Sequence, residues 1–158
     1  MQLQHNKVAT PFYASASTSS TILMNMGVGE AVVTEKVATG SFRKGIAGKV
    51  GSGIIEGYVI DNNMAVVRNS ATNIYARYAL TAWSSPSKTS TVGADIPAGA
   101  RLKAAGGSYD VDALHAFNNG AMVHISGYYS GSTFIARNCY VNTNWASGST
   151  GSYYVYFG

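Results

Sequence analysis

Short apolar runs separated by Gly, Ser, Thr and Asn recur along the whole chain, with a glycine turn every ten residues or so. No amphipathic helix of useful length interrupts them. Runs that are β-branched or alternating, bounded by turn residues, predict strands. The predicted strands are Val8–Tyr13, Thr21–Met26, Glu30–Val37, Ile54–Ile60, Met64–Val67, Ile74–Leu80, Arg101–Ala104, Ala121–Ile125, Phe134–Val141 and Tyr153–Phe157. Residues 1–7 are polar and read as an arm. Residues 14–20 read as a loop, because their Ser and Thr hydroxyls compete with regular backbone pairing. Residues 41–50 read as a stretch broken by changes of direction. Asp61-Asn62-Asn63 reads as a tight connection. Residues 126–133 read as a Tyr/Gly/Ser loop carrying Tyr128 and Tyr129, and residues 142–152 as a loop holding Trp145. In residues 109–117 a helical face of Val111, Leu114 and His115 competes with a hairpin or a single helical turn; Asn118-Asn119-Gly120 behind it favours the latter pair.

The pattern is duplicated. Residues 15–29 and 85–99 align without a gap at an offset of 70. Ser15/Ser85, Ser17/Ser87, Ser20/Ser90, Thr21/Thr91 and Gly29/Gly99 are identical, and Ile22/Val92 and Met26/Ile96 stay apolar. An aromatic residue, Tyr13 or Trp83, stands two positions before each copy. A fixed period of this kind is the signature of repeated architecture. The polar stretch at 68–73 is the expected boundary, which gives two units, 1–70 and 71–158. Many short strands and no helix make the chain all-β, and the repeat favours two small barrels over one sandwich.

Composition sharpens this picture. Hydrophobic residues form 46% of the 158, enough for a core, while charged residues form only 11%. A typical soluble domain carries about 25% charged residues. The surface is therefore rich in Ser, Thr, Asn, Gly and Tyr, which suits glycan contact or packing within an assembly. The formal charge is +4, but Arg43-Lys44 is the only adjacent basic pair, so no phosphate-tracking patch is expected and no nucleic-acid partner. No run approaches the roughly 20 apolar residues of a membrane helix. Residues 1–7 lack the apolar core of a secretory signal, so a chain with no export address of its own is expected.

No catalytic constellation emerges. Asp110, Asp112 and His115 lie close in sequence as metal-ligand candidates, but no further ligand accompanies them, and a solvated loop is the expected reading. Cys139, the single cysteine, and His124 are distant in sequence; an inert strand cysteine is expected. The seven acidic residues show no glycosidase-like pairing. No metal and no cofactor is expected. Eleven tyrosines against five phenylalanines do suggest contact surfaces, since Tyr and Trp suit faces that are apolar on one side and wet on the other. Tyr13, Trp83, Tyr128, Tyr129 and Trp145 are the candidate binding residues.

Each half resembles the bacterial SH3 (SH3b) domain. The stretch 80–99 looks like that family's opening pattern, with Pro86, Ser87, Val92, Ile96 and Gly99 at matching places. Gly57-Tyr58-Val59 and Cys139-Tyr140-Val141 resemble its closing Gly-Trp-Val strand, and Phe42 and Met122 stand near the place of its central Trp. Tyr13 and Trp83 replace the family's opening Arg, and the central Trp is absent. The resemblance implies two tandem SH3-like β-barrels, and the want of a catalytic constellation makes a non-enzymatic chain the expectation. Two roles are expected, the first from the Tyr-rich, charge-poor composition and the second from the resemblance. The first is a structural or accessory protein of a phage particle or related tail-like assembly, located in the virion and docking on other structural proteins or on itself. The second is a cell-wall module that binds peptidoglycan. Lack of an export signal and of a catalytic domain inclines the reading toward the first.

Overall fold

A computed structural model describes residues 1–49, 53–68, 72–107, 109, 121–144 and 153–158. The fold is all-β. In chain order the strands are β1 (Gln2–Asn6), β2 (Thr10–Tyr13), β3 (Ile22–Met26), β4 (Ala31–Thr34), β5 (Phe42–Lys49), β6 (Gly53–Ile60) and β7 (Met64–Val66). There follow β8 (Ile74–Ala76), β9 (Arg101–Ala104), β10 (Met122–Ser130), β11 (Thr133–Asn142) and β12 (Val155–Phe157). One 3-10 turn, Asp61–Asn63, leads into β7.

Two antiparallel sheets result. The first has the order β3-β2-β6-β5-β4-β1-β7 and the second β11-β10-β9-β8-β12. Among the described residues neither order closes on itself, so both are open sheets. The second repeats the β6-β5-β4-β1-β7 part of the first, and the register repeats as well. Gln4 faces Val32 and His5 faces Ala31; 70 residues on, Ile74 faces Leu102 and Tyr75 faces Arg101. Thr10 faces Met26, and Leu80 faces Ile96 at the same offset. The turns into β4 and β9 match bond for bond. Gly29 N–H donates to Asn6 O at 2.9 Å and Gly99 N–H to Ala76 O at 2.8 Å. Both glycines have φ of 81°, a left-handed backbone that glycine adopts without steric cost.

Three elements differ from the sequence-based expectation. Residues 2–6 are not an arm but a strand, paired with β4 on one side and β7 on the other. Its residues Gln2, Gln4, His5 and Asn6 are buried, so apart from the core side chain of Leu3 the strand is held by backbone pairing and by position. Residues 42–49 form one uninterrupted strand, paired along its length with β6; its Gly45 lets β4 approach, since a Cβ there would lie 2.8 Å from Val33 O. Tyr128 and Tyr129 sit within β10, where both neighbours, β9 and β11, pair with them. Residues 110–117 of the ambiguous segment lie outside the described residues.

A single core runs through both halves, from Leu3, Phe12 and Val33 to Ile125, Val141 and Phe157. The C-terminal segment stitches them together. The Tyr153 hydroxyl donates to Ala31 O at 3.1 Å, in a fully buried bond. The Phe157 ring stacks on His5 at 6.1 Å, and the Leu3 N–H donates to Tyr109 O at 3.0 Å.

Candidate binding site

The second copy of the repeat opens a pocket of about 160 Å³ lined by Leu80, Trp83, Lys88, Asn142 and Tyr154. Each wall has an identifiable support. Trp83 is fixed by paired backbone bonds to Tyr140: its N–H donates to Tyr140 O at 2.9 Å, and the Tyr140 N–H donates back at 2.7 Å. Lys88 sits in the Ser/Thr loop that follows, with φ of 55°. That loop is braced by its own hydroxyls: Ser84 Oγ to Ser90 Oγ at 2.5 Å and Ser85 Oγ to Ser87 Oγ at 2.9 Å. Its far end is held by Arg137, whose Nη1 donates to Val92 O at 3.1 Å and Ala94 O at 2.5 Å. The guanidinium packs on Gly93, where a Cβ would lie 3.0 Å from it. Tyr154 stands edge-on to Tyr78 at 6.0 Å, and the two rings are 39% and 46% exposed.

The chemistry of these walls is that of recognition. An aromatic floor, an amide and an ammonium converge on one concavity, the usual arrangement for orienting an organic ligand. Among the described residues no carboxylate pairs with Lys88, so its charge is available to an anionic group on a ligand.

The sequence candidates fall in different places. Trp83 lines the pocket. Tyr13, its counterpart, is buried and edge-on to Phe42 at 6.0 Å, so the first copy has no matching aromatic wall. Tyr128 is a core residue. Tyr129 lies on the outer face of the second sheet under the Arg101 guanidinium, 4.0 Å from the ring centroid. Trp145 lies outside the described residues, as do Asp110, Asp112 and His115. Lys88 and Asn142 carry no local signal of a site, and Tyr154 stands out only as part of the aromatic-rich final strand. Their offsets from Trp83 follow no motif, and only the fold brings the C-terminal segment beside the loop. Cys139 is buried, and burial pushes its thiol up to about 11, which leaves it protonated and unreactive near neutral pH.

No family model and no curated protein matches the chain. Among solved structures it is similar to NlpC2 from Trichomonas vaginalis, with a TM-score of 0.36 and 9% identity over 91% of this chain and 46% of that one. The chain thus spans less than half the length of that structure.

Proposed function

We propose that the chain is a non-enzymatic recognition module, a duplicated SH3-like fold, and that the Trp83 pocket binds bacterial cell-wall peptidoglycan. The convergence of Trp83, Lys88, Asn142 and Tyr154 on one concavity carries this reading. An indole and a phenol offer flat apolar faces to sugar rings or peptide side chains. The ammonium complements the carboxylates of a peptide stem, and the Asn142 amide supplies directional hydrogen bonds. The repeated strand order, the 3-10 turn ahead of β7 and the charge-poor surface support an SH3-like module of this kind. No observation among the described residues favours the virion assembly role over this one.

Co-sedimentation with purified peptidoglycan tests the proposal. Saturable binding that falls more than about tenfold on Trp83→Ala or Lys88→Gln is the expected result, in keeping with the energetic weight of a buried aromatic anchor. A protein that stays in the supernatant, or binding indifferent to both substitutions, rejects it.

A further inference from the structure

The outer face of the second sheet carries a row of side chains that runs straight across all five strands. Register sets it. Tyr156 on β12 faces Tyr75 on β8, Tyr75 faces Arg101 on β9, Arg101 faces Tyr129 on β10, and Tyr129 faces Phe134 on β11. Strands about 4.8 Å apart make the row about 19 Å long. Tyr75, Tyr156 and Phe134 are 37%, 37% and 40% exposed. Cations lie on the rings: Arg101 over Tyr129 at 4.0 Å, Lys103 over Phe134 at 5.1 Å and Arg77 over Tyr156 at 5.8 Å. Gly127 makes room for this layer, since a Cβ there would come within 2.6 Å of the Phe134 ring. The five strands contain no Asp or Glu. At the equivalent positions of the first sheet stand His5, Ala31 and Ala65, two of them buried, so the row belongs to the second copy alone.

We propose that this row is a second binding site, for an acidic polysaccharide lying across the strands. Charge decides against a second copy of the chain, because two such faces would oppose guanidinium to guanidinium with no carboxylate on the five strands to separate them. Ring occupancy decides against single-stranded nucleic acid. Base stacking needs open ring faces, and three of the rings already carry a cation. What the face presents outward is guanidinium and ammonium donors flanked by phenol hydroxyls. Such groups bind the carboxylates and hydroxyls of a uronate chain. Tyr75, at the middle of the row, has no cation over it among the described residues and offers its ring to a sugar. The site shares no residue with the Trp83 pocket and does not depend on that pocket's function.

Calorimetric titration at low salt with a short polyuronate, neutral dextran and an oligothymidylate tests the assignment. Binding of the polyuronate alone is expected. It should weaken about tenfold or more in Arg101→Gln/Lys103→Gln, as loss of charge-assisted bonds implies. It should also weaken with added salt and be unchanged in Trp83→Ala. No polyuronate binding, binding indifferent to the double substitution, equal binding of dextran, or equal or tighter binding of the oligothymidylate each overturns the proposal. Because the Trp83→Ala variant is scored separately on peptidoglycan, failure of one site leaves the other readable.

Discussion

Trp83 and Tyr140 exchange both of their backbone hydrogen bonds, at 2.9 and 2.7 Å, and so form one closed rung between the Ser/Thr loop and β11. Tyr13 and Tyr58 occupy the same rung in the first copy. The rung holds Trp83 in the lining of the pocket, whereas Tyr13 is buried beside Phe42. The two copies therefore share one frame, and among the described residues the aromatic of the second copy, not that of the first, lines an open pocket.

The paired glycines of the β4 and β9 turns separate backbone conformation from packing. At Gly99 a Cβ would have nothing within 4 Å of it, so Gly99→Ala should cost only about 1 kcal/mol for its left-handed φ. At Gly29 the same Cβ would meet the Tyr156 ring and Phe157 O, both at 2.6 Å. Gly29→Ala adds overpacking and should cost about 1–3 kcal/mol more. Urea unfolding of the two variants checks the difference; equal losses would mean the C-terminal strand does not press on this turn.

Tyr153 ties the C-terminus to the first sheet through its bond to Ala31 O. Tyr153→Phe keeps the ring and removes only the hydroxyl. A loss of about 1–2 kcal/mol is expected in chemical denaturation, the usual cost of removing a buried donor. An unchanged midpoint would show that the bond contributes nothing net.

His5 is buried, and desolvation holds its imidazole below the ordinary value of 6.5. Among the described residues its Nδ1 has no hydrogen-bond partner of good geometry, and the nearby Asn6 backbone offsets the desolvation only in part. A folded pKa below the unfolded one means that the unfolded chain binds the proton more readily. The His5 contribution to stability is therefore complete above about pH 6.5 and is lost as the pH falls below that value. Thermal melting at pH 7.5 and pH 5 should show a lower Tm in acid, and His5→Gln should shrink that difference. A Tm difference equal in wild type and variant would assign the acid sensitivity elsewhere.

Cys139 gives a probe of opening. A buried thiol raised to about 11 should label with an aromatic disulfide reagent at pH 8 only as fast as the surrounding sheet opens. Labelling should accelerate in step with urea. Immediate labelling of the native protein would place the thiol at the surface.

Much of the fold was legible in the sequence because β-branched and alternating runs between glycine turns mark strands directly. Arg101–Ala104 was located to the residue, and the offset of 70 between Gly29 and Gly99 reappears in the backbone itself. Tyr58 and Tyr140, which stand in the two stretches with the same Tyr-Val ending, pair with Tyr13 and Trp83 respectively. β1 was missed because Gln2, Gln4, His5 and Asn6 carry no hydrophobic signal; two neighbouring strands, distant in sequence, make it a strand. Tyr128 and Tyr129 looked like loop residues because Gly and Ser surround them, yet the β9 and β11 partners extend β10 past both. Trp83 could be picked out as the aromatic partner of Tyr13. Which of the two faces a pocket depends on Phe42 and Tyr154, and no local pattern encodes that.

The most direct test of the account is co-sedimentation of the protein with peptidoglycan stripped of attached polymers, run with wild type, Trp83→Ala, Lys88→Gln and Tyr13→Phe. Saturable binding by wild type and Tyr13→Phe, lost in Trp83→Ala and weakened in Lys88→Gln while all four melt cooperatively, is the predicted result. Absence of wild-type binding, or equal binding by all four, would contradict it.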